Sequence, residues 1–247
     1  MVRRWAQDHL AQCGKRCGGR IKWKLNRYDA VQSADLSHEP GSGSIVTRRF
    51  EGLQDYSLIQ GKMQQFVADR QAGAIDEIWL LQHRPVFTQG INGQPEHVLD
   101  AGDIPVVKSD RGGQITYHGP GQLVCYLMLD MQRRALGVKG LVKALEQAVI
   151  NVLLGFGLQA ERRCGAPGIY IDEAKIASLG LRIRRGCSYH GVSLNVDMDL
   201  EPFGRINPCG YVGMAVTQLS EWMPVVSLSI NEVGTRMVDE LTRLLST

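Results

Sequence analysis

Apolar positions recur along this chain in two rhythms, and most of its elements follow from them. Tyr56, Ile59, Met63, Phe66 and Val67 fall three and four apart. That is the spacing of one helical face, and it predicts a helix from about Asp55 to Gln71, closed by Gly73. Leu141, Leu145, Ala148, Val149, Val152 and Leu153 make a second stripe within Val138 to Phe156. A third helix is predicted over Ile230 to Leu245, with Ser229 and Glu232 spaced as a capping box. Shorter apolar or alternating runs predict strands at Ile45 to Phe50, Glu77 to Gln82, Val86 to Gly90, and Leu123 to about Asp130. Further strands are expected at Leu158 to Arg162 and Gly165 to Asp172. Lys175 to Arg184 and Ser188 to Val196 read as a hairpin turned at Arg185-Gly186. Ile91 to Asp103 and Pro202 to Gly213 read as loops. Strands and helices are interspersed without regular βαβ alternation, so the expectation is an α+β fold with a mixed or antiparallel central sheet.

Residues 1–43 do not share this pattern. They are basic and irregular, and they lead into Gly41-Ser42-Gly43-Ser44, which reads as a linker. Asp8, Asp29, Asp35 and Glu39 argue against a transit peptide. The expected organisation is a disordered extension over 1–43 and one catalytic domain over 44–247.

Composition narrows the class. The 247 residues are 44% apolar and 21% charged, ordinary for a soluble globular protein. No apolar run reaches the length of a membrane span. A net charge of +3 is too small to argue nucleic acid. A cytoplasmic protein that binds neither membrane nor nucleic acid is expected. The apolar core of a secretory signal is absent, so disulfides are not the default. Cys13 and Cys17 lack a second pair at zinc-site spacing, and no metal is expected. Cys125 lies in an apolar run and reads as core.

The densest punctuation falls in RGGQITYHGPGQLVCY, Arg111 to Tyr126. Gly112-Gly113 and His118-Gly119-Pro120-Gly121 each sit between strand-like runs, so both read as loops on a sheet edge, where binding residues are usually placed. Arg111, Gln114, Thr116, Tyr117 and His118 all offer hydrogen bonds to a ligand. The plainer reading is two decorated hairpin turns; so many special residues in one place favour a binding surface.

Two residues could carry covalent chemistry. Cys209 stands between Pro208 and Gly210, neighbours that leave a thiol accessible; it attacks only as thiolate and needs a nearby cation or dipole. Lys175 opens an otherwise apolar strand, where a lysine is prone to a lowered pKa and can act as a base. A small buried hydrophobe and a snorkelling lysine are the plainer readings, and spacing alone leaves both open. His118 and His190 have two readings each: brackets for a loop, or groups that orient a thioester or shuttle a proton. Arg182, Arg184 and Arg185, with Arg162 and Arg163, read as a solvated face that could also dock an acidic partner.

Three separated stretches then resemble one family in the same order: RGGQITYHGPGQLVCY, GAPGIYIDEAKIASLGLRIRRGCSYHGVSLNVDMDL and INPCGYVGMAVTQL. They resemble the lipoate–protein ligase B family, the octanoyl-[acyl-carrier-protein]–protein N-octanoyltransferases. The resemblance runs from about Ile45 onward. It implies the fold of the biotin and lipoate ligase catalytic domain. It implies Cys209 as acyl-thioester nucleophile and Lys175 as the partner that lowers its pKa. It implies a substrate pocket lined by Arg111, Gly112, Gly113, Gln114, Ile115, Thr116, Tyr117 and His118, by Ser178, Leu179 and Gly180, and by Gly191, Val192 and Ser193. It implies octanoyl-acyl carrier protein as donor, with lipoyl domains of 2-oxoacid dehydrogenases and the glycine cleavage H protein as acceptors, and no cofactor. An ATP-dependent lipoate or biotin ligase on the same fold is the main rival. A non-catalytic binding module and a thioesterase are two others.

Overall fold

The most apolar strands lie at the middle of the sheet that carries the site. The computed structural model describes residues 44–223 and 229–246, except for the Cys209 side chain. The extension 1–43, with Cys13 and Cys17, lies outside the described residues. Strands β1 (Ile45–Gln54), β2 (Asp76–His83), β6 (Gln122–Met128), β7 (Glu161–Arg163), β8 (Ala166–Ile171), β9 (Ala174–Arg184) and β10 (Cys187–Asn195) form one sheet, in the order β1-β2-β6-β10-β9-β8-β7. Within this sheet, among the described residues, only β1 and β2 pair in parallel. β6 and β10 are buried along their whole length, as strands covered on both faces must be. A second sheet, ordered β4-β3-β5, holds β3 (Val86–Gln89), β4 (Val106–Lys108) and β5 (Ile115–His118).

Helix α1 (Tyr56–Asp69) covers one face of the large sheet with Ile59, Met63 and Val67 against Trp79, Leu81 and Tyr126. Helices α2 (Val138–Gly155) and α3 (Ile230–Leu245) cover the other with Leu141, Leu145, Met237 and Leu241. The small sheet closes a third cluster of Phe87, Ile115, Tyr117, Phe203 and Ile206. The expected α+β fold with a mixed sheet between helices is present.

Local chemistry sets the ends. Asp55 caps α1 by accepting from the Leu58 N–H at 3.0 Å. Ser229 occupies the cap position of α3, but its hydroxyl makes no capping bond, and Glu232 is taken by Arg236 at 2.8 Å. The expected capping box is therefore not made.

Two charged features depart from the sequence reading. Asp76 is fully buried and is held by Arg70, Arg133 and Arg134. Arg182 and Arg184 are 1% and 4% exposed, so they cannot form a solvated docking face. The β9–β10 hairpin reaches the end of α1, where Arg185 donates to the Ala68 carbonyl at 3.2 Å. Arg162 pairs with Glu146, and Arg163 pairs with Glu173 and stacks on Tyr170.

Candidate active site

The pocket is built where the small sheet crosses the large one. Its floor is a ladder in register: Ser178 faces Ser193, Leu179 faces Val192, and Gly180 faces Gly191 across β9 and β10. β6 continues it, with Val124 opposite Ser193 and Tyr126 opposite Gly191. Gly191 has no room for a side chain, because a Cβ there would lie 2.1 Å from the Cys125 carbonyl oxygen. The roof is the stretch from Arg111 to His118. It is not a loop on one sheet edge, as the sequence suggested. β5 is an edge of the small sheet, the turn after it leads into a central strand of the large one, and so one short run belongs to both.

Of the residues named from sequence, Arg111, Gly113, Gln114, Ile115, Thr116, His118, Ser178, Leu179, Gly180, Gly191, Val192 and Ser193 line this pocket. Gly112 and Tyr117 do not. The Gly112 N–H donates to the Leu181 carbonyl at 2.9 Å, stitching the roof to β9. Tyr117 points away into the third cluster, against Phe87 and Phe203, because neighbours on a strand face opposite sides. Val124 and Tyr126 also line the pocket and were missed, and His190, one of the two histidines left open between a structural and a functional reading, lines it as well. Register was the signal that could have found them, since each lies opposite or beside a residue already named.

Arg111 lends its stem to the wall and commits its head to the protein. Its guanidinium donates to Thr88 Oγ1 at 2.8 and 3.1 Å, to the Gly112 carbonyl at 3.0 Å and to the Gln114 carbonyl at 2.9 Å. It fixes the roof rather than offering a free hand to a ligand.

Lys175 is 2% exposed, so it does not snorkel. Its Nζ donates to the Pro167 carbonyl at 3.0 Å and lies 5.3 Å from the Tyr170 ring centre. Its stem crosses Gly168, where a Cβ would lie 2.8 Å from Lys175 Cε. Its backbone is paired too: Lys175 N–H donates to Ala215 at 2.8 Å, and its carbonyl accepts from Thr217 at 3.0 Å. That segment follows the short 3-10 turn Pro208–Gly210, which carries Cys209. A Cβ on Gly210 would lie 3.1 Å from Gln114 Nε2 and 3.2 Å from His97 Nε2, and Gly210 has a φ of +80°. The turn with Cys209 is thus seated on the Gln114 end of the pocket, and the chain leaving it is laddered to Lys175.

Behind the pocket lies a buried group of rings. His83 Nε2 and the Tyr126 hydroxyl are 2.7 Å apart, and His83 Nδ1 is 3.1 Å from the Gln54 carbonyl. His118 Nδ1 is 2.6 Å from Gln122 Oε1, and its ring stacks on Tyr56 at 5.9 Å. Burial lowers the pKa of all three histidines here: His83 to about 4, His118 well below the usual range, and His190 below it despite the Asp110 carboxylate beside it. Asp110 goes the other way. Burial raises it, but hydrogen bonds from His190, Tyr189 and Gln64 outweigh that and hold it down to about 2. Cys125 is buried, and desolvation pushes its thiol up. Cys164 is disulfide-bonded, although a disulfide was not the default expectation, whereas Cys125 and Cys187 are free. Among the described residues, no three His, Cys, Asp or Glu side chains are grouped to hold a metal, and no helix is long and apolar enough to cross a membrane.

Comparison with known proteins places this geometry. Proteins named octanoyltransferase from Escherichia coli strain UMN026 and Shigella boydii serotype 18 are each 54% identical over 202 residues, covering 82% of this chain and 93% of theirs. Among solved structures, a lipoate-protein ligase A bound with ATP aligns with a TM-score of 0.64 at 19% identity, over 82% of this chain and 85% of that one. A putative lipoate protein ligase from Thermoplasma acidophilum with bound lipoic acid gives 0.63 at 20%, over 82% and 86%. At those identities the solved structures speak for the fold alone. Residues 58–242 match the model of the lipoyl protein ligase A/B catalytic domain, and with relatives this similar over most of the chain, the protein belongs to that family.

Proposed function

We propose that this protein is an octanoyltransferase. It moves an octanoyl group from octanoyl-acyl carrier protein to a lysine of lipoyl domains, with Cys209 as the acyl carrier between them. The observation that carries the reading is the convergence of three parts. The parts are a largely apolar pocket, a buried lysine, and a cysteine-bearing turn whose Gly210 abuts Gln114 of the pocket and whose following segment pairs with the Lys175 backbone. The 54% identity to proteins named octanoyltransferase supports the same activity.

The chemistry suits these parts. A Cys209 thiolate attacks the carrier thioester, the carrier thiolate leaves, and one thioester replaces another at little cost. The acceptor amine then attacks, Cys209 leaves as thiolate, and an amide forms downhill without ATP. Splitting the transfer this way is nucleophilic catalysis. Lys175 favours the thiolate while it is an ammonium, and takes the proton of the incoming amine once neutral. Backbone N–H groups of the glycine-rich roof are suited to polarise the carbonyl. Burying the octanoyl chain contributes about 5 kcal/mol, at roughly 0.8 per methylene. Lipoyl domains of 2-oxoacid dehydrogenases and the glycine cleavage H protein are the acceptors in this reading, and the cytoplasm is its place of action.

The test is intact-protein mass under reducing conditions. After mixing with octanoyl-acyl carrier protein, the chain should gain one octanoyl group, and Cys209→Ala should gain none and transfer nothing. Transfer by Cys209→Ala, or transfer that needs ATP, would instead favour an adenylating ligase, whose fold this chain shares. We also propose that residues 44–247 are the catalytic unit. Deleting 1–43 should leave transfer rates within about twofold, and loss of folded protein would show that the segment belongs to the fold.

A further inference from the structure

We propose that His190, held by Asp110, is the stop at the closed end of the acyl pocket and sets the chain length the enzyme accepts. The inference rests on the acyl-transfer reading above.

The backbone at His190 is unusual. Its φ is +59°, in the left-handed region that non-glycine residues rarely occupy. On a regular strand its ring would share a face with Val192 and Leu194, which belong to the α2–α3 core. The kink turns it instead to the pocket side, where it stacks on Tyr189 at 5.0 Å and meets Tyr126 edge-on at 5.8 Å. Strain of this kind persists only where surrounding contacts over-determine it. Those contacts are present. Asp110 Oδ1 accepts from Nε2 at 2.9 Å, and the same carboxylate is fixed by Tyr189 and Gln64.

That bond also fixes the tautomer. A carboxylate accepts, so Nε2 carries the proton and Nδ1 presents a lone pair. The ring is 1% exposed, and among the described residues Nδ1 has no hydrogen-bond partner. An acyl chain that reached past the glycine pair Gly180 and Gly191 would meet a ring that cannot yield and a buried polar atom that a methylene cannot satisfy.

The dimensions agree. The last pocket-lining pair on the Lys175 side of the ladder is Ser178 and Ser193, and His190 lies three residues from Ser193 on β10, toward the other end. Three residues of strand span about 10 Å. An extended eight-carbon chain, with bonds of about 1.5 Å, spans roughly 9 Å. Eight carbons fill the channel, and ten do not fit without moving the ring.

The test uses the full chain and a donor series from hexanoyl- to dodecanoyl-acyl carrier protein. Free fatty acids of the same lengths are titrated alongside, because their binding needs no chemistry. Glycine suits a positive φ, so His190→Gly removes the stop and keeps the turn. It should shift the optimum from eight carbons to ten or twelve, changing the decanoyl-to-octanoyl ratio of kcat/KM about tenfold, the worth of two buried methylenes. Asp110→Asn keeps the ring but weakens its tether, and should blunt the discrimination several-fold. It also serves if His190→Gly fails to fold. An unchanged length ranking in the folded variants, in both transfer and binding, would overturn the proposal. Loss of transfer at every length in the wild type, with length-selective binding retained, would sink the transfer reading and leave the stop standing.

Discussion

At the scale of single residues, the sequence marked candidates more readily than it marked where their side chains face. Lys175 drew attention as a lone charge at the head of an apolar strand, and the structure buries it against Pro167 and Tyr170. Replacing it by arginine separates the two tasks proposed for it, because a guanidinium keeps the charge but does not deprotonate. Lys175→Arg should still acylate Cys209, within about tenfold of wild type, while transfer to the acceptor falls at least a hundredfold. Single-turnover mass spectrometry resolves the two steps, and equal losses in both would remove the base role. Arg111 and Tyr117 were read as ligand contacts because their side chains can bond one. What each side chain faces depends on strand parity and on Thr88, which is far along the chain, and composition does not carry that. His190 was legible as a histidine but not as a kink, since a left-handed turn inside a strand leaves no periodic trace.

At the scale of elements, periodicity served well. The three long helices fall within two residues of their expected ends, because their stripes face the sheet continuously. The strands were legible as segments but not as two sheets. Pairing order depends on contacts between distant residues, and the loops at Gly112-Gly113 and His118 to Gly121 were read as hanging on one sheet edge when the second leads into a central strand. The Asp76 cluster was missed for the same reason. One buried carboxylate gathers Arg70 from the end of α1 with Arg133 and Arg134 from the segment after β6, and Arg134 also reaches the Leu245 carbonyl at the end of α3 at 2.7 Å. Asp76→Ala would leave these guanidiniums facing one another in a buried site. Removing one partner of a buried pair costs roughly 3–5 kcal/mol, so urea denaturation should show a loss of that order with octanoyl binding intact in the protein that remains folded. A change below about 1 kcal/mol would show that the cluster is solvated.

At the scale of the whole molecule, buried neutral histidines tie stability to pH. His83 titrates near 4 in the fold and near 6.5 unfolded. Between those values the unfolded chain binds the extra proton, so stability falls as pH drops from about 6.5 to about 4, by about 3 kcal/mol from His83 alone. His118 and His190 shift the same way and add to the loss. Asp110 is depressed to about 2, so its contribution is present above about pH 4 and is lost below that as it protonates. Thermal melts from pH 8 to 3 should decline steeply below 6.5, and His83→Gln should flatten the upper part of that decline. A melting temperature flat from pH 8 to 4 would show that these rings charge freely in the fold. The roof of the pocket has a wider consequence. Its loop is stitched to β9 through Gly112 and to the small sheet through Gly90, which donates to the Gln114 carbonyl at 3.0 Å. The channel therefore runs along a seam between two sheets, and an acyl chain lying in it touches both. In the proposed reaction the cargo would become a piece of the hydrophobic core for the length of one turnover, and amide exchange in the roof should slow when the enzyme is loaded.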